Sequence, residues 1–174
     1  MVNQKDLHSI ERQLGRSPSG DFEVTSYTPT GEVQVIRSRP FREGKPFPNL
    51  YWLVCEKLKY AIDRIEAVGY VKKLEEEILP AEPELLRSIV LDHYRYMRTR
   101  WSLVLDSDLE FIENANFMKP LASTGIGGIS DFERVRCLHM HYAFHLAEGS
   151  TLGRWLDDNF ALNSVYSPNF DLSH

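Results

Sequence analysis

The chain has 174 residues, 43% of them apolar and 26% charged, with a formal charge of −5 and a pI near 5.7. That is the size and composition of one globular domain able to bury its own core. The acidic balance excludes broad electrostatic capture of nucleic acid or of an anionic membrane. Two cysteines do not make a disulfide framework. No stretch reaches the ~18–20 apolar residues of a membrane span, and the first residues lack the apolar run of a signal peptide. A reduced, cytoplasmic setting is expected.

Leu7, Ile10 and Leu14 recur at helical spacing and Gly15 follows as a stop, which predicts an opening helix. Phe22-Glu23-Val24-Thr25 alternates as a strand, Pro29-Thr30-Gly31 turns, and Val33-Gln34-Val35-Ile36 returns, so a β-hairpin is predicted. A proline-rich and charged loop follows. Leu50-Tyr51-Trp52-Leu53-Val54 then reads as a third, buried strand.

Beyond Cys55 the period changes. Leu58, Ala61, Ile62, Ile65 and Val68 form a helical stripe closed by Gly69. Val71, Leu74 and Ile78 predict another helix, ended by Pro80 and Pro83. Leu86, Ile89, Val90, Tyr94, Met97 and Trp101 predict a long one. Asp106-Ser107-Asp108 caps a short helix carrying Phe111 and Ile112. Ser130 and Glu133 fit a capping box for a helix whose core stripe is Val135, Leu138, Tyr142 and Leu146, and Gly149 ends it. A last short helix is expected over 151–158. The fold class is α+β: a small antiparallel sheet near the N-terminus covered by five or six helices. Residues 1–162 are expected to form one domain and 163–174 a tail without clear periodicity, partly disordered.

Chemistry concentrates in Cys137-Leu138-His139-Met140-His141-Tyr142-Ala143-Phe144-His145. Taken as one helix, Cys137, His141 and His145 fall at i, i+4 and i+8 and form one stripe, while His139 lies across the core stripe. An i, i+4 histidine pair suits a metal ion held on a helix face, and a cysteine thiolate adds a further ligand. The same residues also read as packed side chains, or as metal-free acid–base groups. Cys55 stands where strand hands over to helix, a position that favours thiolate, or equally a packed end of the third strand.

The glycine-rich loop of Gly125, Gly127 and Gly128 precedes the histidine helix, with Arg134 and Arg136 nearby. It reads either as a cradle for phosphate or carboxylate or as a plain turn. It lacks the G-K-[ST] ending of a P-loop and is not G-x-G-x-x-G. There is no G-x-S-x-G elbow, no C-x-x-C and no phosphatase C-x5-R spacing.

Pro46-Phe47-Pro48-Asn49-Leu50-Tyr51-Trp52-Leu53-Val54-Cys55 resembles the PFPTLYWLTCP block of a bacterial family, domain of unknown function 501. The run from Gly125 to His145 resembles its GIGG…RVKCLH…H block. Leu14-Gly15-Arg16 and Val35-Ile36-Arg37 resemble its N-terminal part, so the likeness extends from about Leu7 to Gly153. The resemblance implies a single-domain cytosolic protein, encoded near enolase, a septum-formation protein and an exopolyphosphatase-like enzyme. It implies recurrent polar positions at Cys55, Cys137, His139 and His145, with the His141 position often apolar in relatives. The family's cysteine after the first strand has no counterpart in Tyr27-Thr28-Pro29-Thr30-Gly31.

Three readings follow. The first is a divalent metal site, zinc by ligand type, formed by Cys55, Cys137, His139 and His145 with His141 in reserve, either structural or hydrolytic toward a small phosphorylated or acyl compound. The second is a non-catalytic module that engages a protein partner through a surface such as residues 37–48. The third is binding of a small anionic ligand by Gly125, Gly127 and Gly128 with Arg134 or Arg136. No nucleic-acid or membrane partner is expected.

Overall fold

The computed structural model describes every residue except 1, 19, 43, 168, 169 and 171–174, so those six tail positions lie outside the described residues. Helix α1 (Gln4–Leu14) starts where the Asn3 side chain accepts the Asp6 N–H, and ends at Gly15 in a left-handed conformation (φ 68°). The expected hairpin is formed by β1 (Phe22–Tyr27) and β2 (Val33–Ser38). Its turn is tied by Thr28 Oγ1, which accepts the N–H groups of Thr30 and Glu32. Two short strands, β3 (Phe41–Arg42) and β4 (Lys45–Pro46), make a separate ribbon inside the predicted loop. Strand β5 (Tyr51–Leu53) then pairs antiparallel with β2, Val35 opposite Leu53, which gives a sheet of order β1-β2-β5.

Helix α2 (Glu56–Ala67) buries Leu58, Ala61, Ile62 and Ile65 of the predicted stripe, but its fifth member, Val68, is exposed because the helix has already ended there, and Gly69 turns the chain at φ 80°. Residues 70–81 are helical and end between Pro80 and Pro83, as the sequence predicts, where Glu82 leaves the helical region (φ −123°). They run as α3 (Tyr70–Lys73), a π-helical turn (Leu74–Ile78) and α4 (Leu79–Ala81). Proline lacks the N–H an α-helix would use and clashes with the carbonyl four residues back; the wider turn relieves both. Helix α5 (Pro83–Ser102) is the long helix anticipated, followed by α6 (Asp106–Asn114) and α7 (Met118–Ser123).

A 3-10 turn at Ile126–Gly128 leads into an extended segment, and α8 starts only at Leu138. The Ser130/Glu133 capping box is therefore not formed. Asp131 Oδ1 instead accepts the Glu133 N–H in a tight turn, and Cys137 is the N-cap of α8. Helices α8 (Leu138–Glu148) and α9 (Thr151–Phe160) complete the domain, with Ser150 capping α9. A last 3-10 turn at Leu162–Ser164 brings Val165 and Tyr166 onto the core. Short helices that carry no long period in sequence make the helical layer more divided than the five or six expected.

Helix α8 is apolar on most sides because it is central. Leu138, Tyr142, Ala143 and Phe144 are fully buried against β5, α9 and α2. A second anchor is Arg100 on α5, which has no exposed surface. Its guanidinium donates to the carbonyls of Pro48, Leu121, Thr124 and Gly125, and so fixes the segments before β5 and the glycine turn. Leu121 and Thr124 lie at the end of α7, where helix carbonyls lack internal partners.

Candidate metal centre

The chain around residue 137 is held by two glutamates, Glu66 of α2 and Glu75 of the π-helical turn. Glu75 accepts the N–H groups of Val135 (2.7 Å) and Arg136 (3.2 Å), and pairs with the Arg134 guanidinium at 3.3 Å. Glu66, in the last turn of α2, accepts the Leu138 N–H at 2.6 Å and thereby caps α8 from outside. Between these contacts Arg136 adopts a left-handed φ of 59°, strained for a residue with a Cβ. The bend carries Cys137 and His139 to the same carboxylate.

Glu66, Cys137 and His139 form a cluster whose potential ligand atoms all lie within 4.8 Å of one another, and this group could hold a metal ion. His139 Nδ1 is 3.4 Å from Glu66 Oε1 and 3.8 Å from Cys137 Sγ. Around a tetrahedral zinc ion with ordinary bond lengths, N···O and N···S edges are about 3.3 and 3.6 Å. The other imidazole nitrogen, Nε2, lies 3.3 Å from Asp63 Oδ1 and 3.3 Å from the Lys59 carbonyl. In the neutral imidazole, an Nε2–H shared by Asp63 and the Lys59 carbonyl leaves Nδ1 as the unprotonated nitrogen facing Cys137 and Glu66.

Burial works against a charged His139, but its hydrogen bonds to Cys137 and Glu66, and their charges, outweigh that and lift it to about 10. Burial likewise opposes charge on Glu66. The bonds from His139 and the Leu138 N–H outweigh it and hold the carboxyl below its usual range.

The other sequence candidates lie elsewhere. Cys55 is the N-cap of α2, about 16 Å along the helix from Glu66 at ~1.5 Å per residue. It is 3% exposed, and its Sγ lies 2.7 Å from the Tyr166 hydroxyl. His145 binds within α8 and α9. Nδ1 accepts the Ser150 N–H at 3.0 Å, Nε2 meets Asp157 Oδ2 at 3.1 Å, and Tyr142 donates to the other oxygen of Asp157. A Cβ at Gly153 would come within 2.1 Å of that ring, which accounts for the glycine. His141 is buried edge-on against His93, ring centroids 5.3 Å apart. The i, i+4, i+8 stripe does not exist, because Cys137 is extended (φ −151°) and precedes the helix.

The glycine turn faces inward. Ile126 N–H donates to His93 Nδ1, Gly125 N–H to the Ile129 carbonyl, and Gly128 N–H to the Gly125 carbonyl. Arg134 pairs with Glu75, and Arg136 donates to the Gly127 carbonyl at 3.4 Å. A cleft of about 380 Å³ between α5 and α9, lined by Arg95, Ser150, Arg154 and Trp155 among others, does not adjoin the Glu66 cluster.

Sequence reasoning missed Glu66 and its companion Asp63. The available signal was their i, i+3 spacing beside the core stripe of α2. Acidic residues there ordinarily mean only a solvated helix face. Among the described residues, no helix is long and apolar enough to cross a membrane. No curated protein and no solved structure matches the chain. The model of the family described as protein of unknown function (DUF501) matches residues 24–158, most of the domain including β5, Cys137 and His139, and the chain belongs to that family.

Proposed function

We propose that Glu66, Cys137 and His139 bind one divalent transition-metal ion, zinc by ligand type. Nitrogen, sulfur and oxygen donors together suit a borderline-soft ion better than magnesium or calcium. The supporting observation is the spacing of His139 Nδ1 from Glu66 and Cys137, 3.4 and 3.8 Å, close to tetrahedral edges. Asp63 and the Lys59 carbonyl orient the imidazole from behind. Three protein ligands leave a fourth position for water, the pattern of hydrolytic rather than closed structural centres. On this reading the chain is a metal-dependent hydrolase of a small phosphorylated or acyl compound.

Elemental analysis of protein purified without chelators tests the metal. One zinc per chain is expected, with loss on Cys137→Ser or His139→Ala. Protein that is metal-poor and takes up no zinc on titration at micromolar concentration overturns the proposal.

One surface favours a second reading, a module that engages a protein partner. Leu105, Leu109, Phe111 and Met118 are exposed in and around α6. Phe111 lies tilted against Phe41 of β3, ring centroids 5.5 Å apart, and Arg39 pairs with Asp108 at 3.1 Å. Large apolar side chains exposed together on and beside one short helix are the kind of surface a partner covers. Phe111→Glu with Leu109→Glu should abolish partner capture in a folded protein; unchanged capture removes this reading.

A further inference from the structure

We propose that Cys137 is the redox release point of this centre: oxidation by hydrogen peroxide discharges the metal, and a small thiol reductant restores binding. The inference rests on the metal reading above and adds its regulation.

Cys137 supplies the cluster's sole sulfur, so its oxidation removes one of three protein donors. It is partly exposed, in an extended segment ahead of α8. The chain's other thiol, Cys55, is buried beneath the Tyr166 hydroxyl and stands about 16 Å along α2 from Glu66. The Cys55 thiol is buried and engaged with the Tyr166 hydroxyl, outside the cluster, so on this proposal Cys137 is oxidised without a disulfide partner in the chain. The oxidised product is a sulfenic acid, and oxidation at this level is reversible.

The Cys137 thiolate attacks one peroxide oxygen. The S–O bond forms as the O–O bond breaks, hydroxide leaves, and sulfur gives up two electrons to the peroxide. The sulfur now carries oxygen in place of its anionic lone pair, and it no longer holds the ion as a thiolate does. A thiol reductant attacks the sulfenic sulfur and displaces water, giving a mixed disulfide. A second thiol resolves this to the Cys137 thiol and the reductant's own disulfide. Release strands no buried charge, because Glu66 and His139, 3.4 Å apart, pair with each other.

The test loads the full chain with zinc alone and adds a few equivalents of peroxide. Released zinc is followed with a chromogenic chelator, and sulfenic acid is mapped by trapping with a cyclic diketone and peptide mass analysis. About one zinc released per chain, the adduct on Cys137, and recovery of binding after dithiothreitol and fresh zinc are expected. Cys55→Ser should behave as the parent; if it does not fold, the adduct map on the parent decides. Zinc retained under peroxide, or released with the adduct only on Cys55, overturns the inference while leaving the metal centre standing. A chain that takes up no zinc before peroxide is added overturns both.

Discussion

His139 and His141 are two residues apart on one helix and occupy opposite chemical worlds. About 200° of helical rotation separates them. His139 meets Asp63, Glu66 and Cys137 at the edge of the fold, where partners raise it to about 10. His141 points inward against His93. Burial, reinforced by that second imidazole, pushes His141 down to about 3. Burial also takes His93 to about 4, although the Asp92 carboxylate works the other way. Among the described residues both Nε2 atoms of this pair are buried without a hydrogen bond, and His93 Nδ1 already accepts the Ile126 N–H, so a second proton on His93 would face that donor. The first region is arranged for charge and the second for its exclusion. Histidine density in a sequence is therefore not a count of ligands.

The contrast can be broken most sharply at the cluster itself. His139→Ala should weaken zinc binding by roughly 10²–10³-fold, because one of three ligands is lost from a large binding free energy. Denaturation in chelator should move little. Isothermal titration checks the first and urea unfolding the second. A variant that loses stability but keeps its zinc affinity would assign His139 to the packing class of His141.

The buried pair predicts a pH effect. The folded pKa of His93 lies below its ordinary 6.5, so the unfolded chain binds more protons between the two values. Its contribution to stability is complete above pH 6.5 and is lost as pH falls toward 4, by roughly 3 kcal/mol. Urea unfolding with chelator present measures it. A flat profile over that window, or one unchanged in His93→Gln, would contradict the assignment.

Gly125→Ala sharpens the division. A Cβ there would sit 2.2 Å from His93 Nδ1, and overpacking of this kind costs about 1–3 kcal/mol. Stability should fall while zinc affinity stays near that of the parent; a matching loss of zinc affinity would show that the two regions act as one. The smallest effect is expected for Asp63→Asn, which touches the metal only through His139. About a tenfold loss of zinc affinity with no change in stoichiometry would fit its orienting role.

The parts of this molecule with regular period were legible in the sequence. The hairpin, β5, the buried face of α2 and the length of α5 all follow from apolar spacing. The start of α8 was not, because Ser130 and Glu133 satisfy a capping pattern while Glu66 and Glu75, some 60–70 residues away, collect the backbone N–H groups instead. That one displaced boundary takes Cys137 off the helix and removes the stripe it was expected to share with His141 and His145. Cys137 and His139 could be picked out by residue type. Glu66 could not, since its spacing on α2 is that of an ordinary wet helix face until α8 is laid across it.

Arg100 gives the domain a shared hinge pin. One interior guanidinium, with no carboxylate beside it among the described residues, grips carbonyls from the approach to β5 and from the end of α7 through Gly125. Neither loop can loosen alone without stranding part of that cation in the interior. The two stretches should breathe as a single cooperative unit, on the slow timescale of sub-global opening rather than that of surface loops.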